Sequence, residues 1–345
     1  MNRVACLVAA GLLLVGCGSD VQLASPAPVT AAPTTAAAPT TSIAPEATCL
    51  GDEAVGRAPQ SYPALESVPA ATELPEGSTM EAIRERGALR VGVSSDTLLF
   101  GSRNPSSGEI EGFDIDMLKQ VAMAIFGVSE NEAYDYLELV VIPYSERIPK
   151  LLADEVDIVA HTMTVNCARW TRIAFSTEYY HAGQRLLVRE VSPEVGEFAS
   201  LEEFTSDADA TVCVPKGGTS EEEIGARLND VGADLKLRMR AETEISDCLV
   251  LFQQGKVAAI ASDDTVLAGL AIQDDPNAIV VGPFFSEEPY ALGMQPGQVD
   301  FVQFVNAVLA RMREDGTWQA IYDRWLFGTL GEAKLPDARD DRPLP

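Results

Sequence analysis

Apolar and polar positions follow two alternating rhythms between residues 80 and 328. Short apolar runs read as strands: Leu89 to Val93, Leu137 to Ile142 and Val156 to Ala160. Between them, Phe113 to Phe126 carries Ile115, Leu118, Val121, Ala122 and Ile125 at helical spacing. Met80 to Arg86 is a short helix ended by Gly87, and Ser145 to Ala153 is another. The series recurs after residue 200, with strands at Thr211 to Val214, Leu235 to Met239 and Ala258 to Ala261, and helices at Ser220 to Leu228 and Ser246 to Gln254. Asp300 to Arg313 and Thr317 to Leu326 read as terminal helices, with Trp318, Tyr322 and Trp325 on a packing face. Strand–helix alternation predicts an α/β protein with mainly parallel sheets. Ligands of such sheets gather at the C-terminal ends of the strands.

One strand end is rich in chemistry. Val156 to Ala160 runs into His161-Thr162-Met163-Thr164-Val165-Asn166-Cys167-Ala168-Arg169. Thr162 and Thr164 share a face of an extended chain, and Arg169 follows five positions after Thr164. Two hydroxyls, nearby amides and a planar guanidinium suit a carboxylate. Lys216-Gly217-Gly218-Thr219-Ser220 is a strand-to-helix turn whose glycines permit close backbone approach and whose helix start offers free amides to an anion. It lacks the full phosphate-loop pattern. Ser262-Asp263-Asp264-Thr265 places carboxylates at a further strand end, where one pairs with an ammonium or caps the next helix.

These segments resemble the amino-acid-binding proteins of ABC importers, the solute-binding protein family 3, over roughly residues 80–328. The resemblance implies a two-lobe periplasmic-binding-protein (type II, Venus-flytrap) fold with a discontinuous first lobe. Lobe 1 would comprise residues 80–185 and 287–328, and lobe 2 residues 186–286. The chain would cross between them near His181 to Arg189 and Val281 to Leu292. In the family, the segment matching Thr162, Thr164 and Arg169 grips the ligand's α-carboxylate. The turn matching Gly217 and Thr219 closes over it from lobe 2; Gly218 stands where the family usually has threonine. An aspartate matching Asp263 or Asp264 takes the α-ammonium, with Asp264 favoured. The loop Leu98 to Arg103 would supply an aromatic wall, Phe100, and a cation, Arg103.

Arg147, in Tyr144-Ser145-Glu146-Arg147-Ile148-Pro149, resembles the arginine that acidic-amino-acid binders aim at the side-chain carboxylate. A second buried guanidinium beside Arg169 is costly unless an anion neutralises it. The set therefore points to glutamate or aspartate, with glutamine and asparagine as alternatives. The ligand would be bound by hinge closure and delivered to an ABC permease. A membrane signalling protein is the second candidate partner. An enzyme on the same fold, with Glu109, Glu111 and Glu178 as acids, is the third reading, although no acid–base or nucleophile–base pair stands out. No cofactor is expected.

The remaining features fix the setting. Arg3 and the apolar run Val4 to Val15 read as a signal peptide over residues 1–16, too short to span a bilayer. Leu14-Val15-Gly16-Cys17 resembles the bacterial lipobox, so Cys17 is expected to carry lipid and anchor the exported protein to the outer face of the membrane. Residues 17–48, rich in Ala, Pro and Thr, read as a tether without a core, followed by an N-terminal arm (49–79) and, after lobe 1, a C-terminal tail (329–345). Four further cysteines allow three pairings; Cys213–Cys248 within lobe 2 and Cys49–Cys167 beside the Arg169 segment are preferred. Zinc is disfavoured, with no CxxC spacing and two histidines in the chain. A formal net charge of −27 argues against nucleic acid.

Overall fold

The structure is a computed structural model, and it describes Cys49, residues 59–192 and residues 195–345. The expected signal peptide, Cys17 and the tether lie outside the described residues.

Two main sheets organise the chain. The first has five strands in the order Leu137–Val141, Leu89–Val93, Ile158–Val159, Gly293–Met294 and Ala174–Phe175. Its first three strands are parallel, and Gly293–Met294 runs antiparallel to both its neighbours. The second sheet places Val212–Pro215 between Met239–Glu242 and Ala259–Asp263, all parallel. The 13-residue strand Tyr180–Ser192 pairs antiparallel with Ala259–Asp263 and Ala278–Val281. Its first residues pair instead with Glu287–Tyr290, in the register Tyr180↔Tyr290 and Gly183↔Glu287. These two antiparallel strands therefore carry the chain out of the first sheet region and back.

The apolar residues segregate accordingly. One cluster joins Phe100, Phe113, Val121, Tyr180, Tyr290, Phe304 and Trp318 on one side of the first sheet. A second, on its other side, joins Ile148, Met163, Trp170 and Phe175. Two further clusters flank the second sheet, one holding Leu187, Cys213, Phe252 and Ile260, the other Leu186, Val212, Ile224 and Ala261.

Local signals explain most element ends. Ser78 caps helix Thr79–Arg86 by accepting from the Glu81 amide, and Gly87 ends it in a left-handed conformation. Helix Phe113–Phe126 occupies the span predicted from its spacing. Leu235 to Met239 differs from expectation. Leu235–Arg238 is a helical turn capped by Asp234, whose side chain accepts from the Lys236 amide, and the strand is Met239–Glu242. Leu237 is 67% exposed, so the apolar alternation there is not a buried strand face.

Both disulfides join the preferred pairs, Cys49–Cys167 and Cys213–Cys248. The first ties the N-terminal arm to the short helix Cys167–Trp170. Further bonds hold the arm there: the Trp170 indole donates to the Gln60 carbonyl, and Ser61 Oγ donates to the Phe175 carbonyl. The C-terminal tail runs alongside, with Ser61 N donating to Arg339 O and Arg342 N to Ser61 O. The Arg342 guanidinium stacks over the rings of Tyr62 and Trp170, 4.3 and 4.0 Å from their centroids.

Candidate ligand-binding site

The site is assembled at strand ends, as the alternation predicts. Beyond Ile158–Val159 the chain turns sharply, with Thr162 at a φ of 42°, and Thr164 forms an isolated bridge to Tyr290. Asn166 then caps the next helical turn, its side chain accepting from the Arg169 amide at 2.9 Å. The Arg169 Nη1 turns back to the Thr164 carbonyl, also at 2.9 Å. The segment thus fixes its own arginine. Asp114 fixes the other end: one carboxylate oxygen accepts from Thr162 N at 2.9 Å and the other from the Tyr179 hydroxyl at 2.5 Å. Burial pushes the Asp114 carboxyl up to about 6, against the pull of those bonds and of Arg147.

Arg147 lies beside Arg169 and is likewise buried. Its Nε donates to Tyr144 O, its Nη1 to the carbonyls of His161 and Thr162, and its carbon Cζ sits 4.8 Å from the Tyr144 ring centroid. Burial first, and then the neighbouring Arg169, lower its pKa to about 9. Burial lowers that of Arg169 as well. His161 Nε2 donates to the Ile142 carbonyl at 3.0 Å. Burial and the Arg147 charge hold its pKa down at about 3, so the ring is neutral.

The second sheet contributes the facing wall. Gly217 has a φ of 79°, and an added Cβ would come within 2.7 Å of Ser145 Cα. Glycine is required there for both conformation and close approach. Its carbonyl accepts from Arg147 Nη2 at 3.4 Å and from Arg169 Nη2 at 3.5 Å. Thr219, at the start of helix Thr219–Asp230, accepts from Gln184 Nε2 and donates to Glu288 Oε2. Further along the seam, Ser246 N donates to Asp96 Oδ2 at 3.0 Å. Tyr144 leaves its own region and packs into the apolar cluster of Cys213 and Phe252. The two sheet regions are therefore in closed contact.

The structure brings together Arg147, Thr162, Thr164, Arg169, Gly217, Thr219 and Asp263. Asp263 ends its strand fully inward and accepts from the Tyr290 hydroxyl at 2.5 Å. Asp264, the residue favoured from sequence for the ammonium, begins the following helix, accepts from Gly183 N, and lies towards Arg185 and His181. Phe100 is also placed elsewhere than expected. It is fully buried, edge-on to Phe113, Tyr180 and Tyr290, so it is core and not cleft wall. Arg103 is exposed on a small hairpin, where Nη1 donates to the Gly108 carbonyl. Of the acids weighed for catalysis, Glu111 accepts from Asn104 and Glu178 pairs with His181, while Glu109 lines a surface groove; none touches the arginines.

Sequence reasoning missed two groups. Tyr144 supplies an aromatic face under Arg147, and its hydroxyl has no hydrogen-bond partner although buried; the same holds for Thr162 Oγ1 and His161 Nδ1. The signal was an aromatic residue directly before the Ser145-Glu146-Arg147 turn. Glu288, buried, accepts from both Thr164 and Thr219. Among the described residues no group of three or more His, Cys, Asp or Glu is arranged to hold a metal ion.

Residues 89–329 match the sequence model of the bacterial extracellular solute-binding proteins, family 3. The chain belongs to that family. Among its relatives, the ABC transporter glutamine-binding protein GlnH of Bacillus subtilis (strain 168) is 33% identical over 248 residues, covering 72% of this chain and 84% of that protein. The glutamate-binding protein GluB of Corynebacterium glutamicum is 28% identical over 263 residues, covering 74% and 83%. Among solved structures, an ancestral arginine-binding protein bound to glutamine superposes with a TM-score of 0.60 at 28% identity, covering 72% of this chain and 99% of that one. As a family 3 protein with this two-domain α/β fold, the chain is an amino-acid-binding component of an ABC transporter. No helix among the described residues is long and apolar enough to cross a membrane.

Proposed function

We propose that the protein is an extracytoplasmic receptor for α-amino acids of the glutamate and glutamine class, handing its ligand to an ABC permease after hinge closure. One observation carries this reading. Two buried guanidiniums, Arg147 and Arg169, converge from one sheet region on the Gly217 carbonyl of the other. Their long contacts to a neutral acceptor leave them ready for a stronger one, and a carboxylate is the anion a guanidinium fork matches best. Thr164, Thr219 and the glycine turn surround that position, and Asp263 supports an ammonium beside it. The acid or amide end of the ligand would face the Tyr144 hydroxyl, Thr162 Oγ1 and His161 Nδ1, three buried atoms without a hydrogen-bond partner.

A convergent pair of arginines serves one carboxylate. This favours admitting the amide ligands, glutamine and asparagine, beside glutamate and aspartate. Closure is favoured by ligand because only the closed form uses groups from both sides. Lipid attachment at Cys17 would keep the receptor at the outer membrane face, close to its permease. A membrane signalling protein reading the same closed form is the other partner this geometry serves.

The test is calorimetric titration with glutamate, aspartate, glutamine and asparagine after unfolding, ligand removal and refolding with the disulfides intact. Tight binding of at least one, lost in Arg169→Ala, supports the reading. Absence of binding to all four rejects it.

A further inference from the structure

Glu288 lies on the returning strand Glu287–Tyr290 and is 2% exposed. Its Oε2 accepts from Thr164 Oγ1 at 2.6 Å and from Thr219 Oγ1 at 2.7 Å, and its Oε1 from Ser286 Oγ at 2.7 Å. The two threonines come from opposite sides of the cleft. Both are hydroxyls placed above in the ligand cradle. Tyr290, two positions on, shares the strand face with Glu288 and donates its hydroxyl to Asp263. Two buried carboxylates, Asp263 and Glu288, thus face two buried guanidiniums, Arg147 and Arg169.

Further charged groups stand around this set, and Asp114 adds a third buried carboxylate within electrostatic reach of Arg147. Thr265 and Tyr290, which complete the polar contacts of Asp263, are neutral hydroxyls. Asp114 stands behind Arg147, held by Thr162 and Tyr179. Asp264 is turned to the Gly183 amide, Arg185 and His181. Glu287 points to the other strand face, where it meets His181. Glu222 acts on Arg169 from the rim of the cleft.

The consequence is a matter of charge. A zwitterionic amide such as glutamine carries no net charge, so closing the cleft on it adds none. Glutamate brings one further negative charge into a site screened from water. An uncompensated buried charge is costly, and a buried carboxylate takes up a proton sooner than remain unpaired. We propose, building on the amino-acid-binding reading, that Glu288 governs ligand choice by charge: an amide amino acid enters the closed cleft alone, whereas an acidic one enters together with a proton. Burial, and next the proximity of Glu288, push the Asp263 carboxyl well above its usual range. Glu288→Gln would remove the proton requirement and favour the acid.

The experiment is calorimetric titration of the full chain with glutamate and with glutamine near neutral pH, each in phosphate and in Tris. These buffers differ in ionisation heat, so the difference counts protons. The expected result is uptake of about one proton with glutamate and about none with glutamine. Glutamate affinity should then fall about tenfold per pH unit above neutrality while glutamine affinity stays flat. Glu288→Gln should abolish the uptake and raise the glutamate-to-glutamine affinity ratio by about tenfold or more. Glutamate binding without proton uptake in the unaltered protein overturns the inference and leaves amino-acid binding intact; this arm needs no variant to fold. An unchanged ratio and proton count in a folded Glu288→Gln protein also overturns it. Failure of both ligands to bind removes the amino-acid-binding reading and the inference together.

Discussion

Arg169 and Arg147 share one acceptor, the Gly217 carbonyl, across the seam between two sheet regions. Two like charges so close are held by backbone carbonyls against the cost of burial, and among the described residues neither has a carboxylate in hydrogen-bond contact. Removing Arg169 removes the fork best aligned by its own segment. Arg169→Ala should weaken ligand binding by at least about 100-fold, and Arg169→Lys by less, since an ammonium keeps charge but loses the bidentate geometry. Titration of both variants checks this. Equal losses in the two would indicate that charge alone matters.

Tyr144 offers a cleaner dissection of ring and hydroxyl. Its hydroxyl is buried without a hydrogen-bond partner, so Tyr144→Phe should leave thermal stability equal or slightly higher. The same change should weaken ligand binding by about fivefold if that hydroxyl meets the ligand. Tyr144→Ala should cost far more, because the ring also packs beneath Arg147 and into the Cys213 cluster. Melting and titration on the same samples separate the two effects.

The disulfides should behave differently. Cys213 and Cys248 are 35 positions apart and join a strand to a helix within one apolar cluster. Replacing both by serine should lower stability by about 3–4 kcal/mol with little effect on affinity. Cys49–Cys167 instead ends at the helical turn that carries Arg169. Its double replacement should weaken binding as well as stability. Chemical denaturation paired with titration distinguishes them, and an unchanged affinity in the second variant would show that Asn166 alone fixes the arginine.

His181 gives a pH signature at the crossing strands. Its two ring nitrogens lie 2.6 Å from Glu178 and 2.8 Å from Glu287. The bonds to Glu178 and then Glu287, against the opposing effect of burial, raise its pKa to about 9. Burial pushes Glu178 itself up, against the pull of His181; the two short carboxylate contacts are the stronger indication of a charged ring. A raised folded-state value means the stabilisation is complete below about 6.5 and disappears as pH rises through about 9. The melting difference between the native protein and His181→Gln should therefore shrink across that window. A constant difference would mean the ring is neutral throughout. Half-exposure of the pair keeps the effect modest.

Much of this was legible beforehand where local chemistry and position coincide. Thr164 and Arg169 stand out because a strand end, two hydroxyls on one face and a guanidinium fall within a few residues. Glycine at 217 was legible as a close approach. Asp263 and Asp264 were not separable, since the choice depends on where a strand ends: the strand continues through Asp263 and turns it inward. Phe100 reads the same as core or as cleft wall until its neighbours are known. Glu288 sits in Ser286-Glu287-Glu288-Pro289, a string that resembles an exposed acidic turn. Its burial arises from pairing with Tyr180–Ser192 and from threonines more than sixty positions away in the chain.

Gln60, Ser61, Arg339 and Arg342 bring the two ends of the described domain side by side against Trp170. Anything attached to either end, whether a membrane tether or a fluorescent label, is thereby attached to the region of the first sheet. The second sheet region is joined to it through the two crossing strands, so in the proposed hinge closure it is the part that would swing. Anchored and closing as proposed, the receptor would keep its arginines stationary above the membrane and move its glycine turn to meet them. A dye at the C-terminus would stay silent during closure, whereas one on helix Thr219–Asp230 would report it.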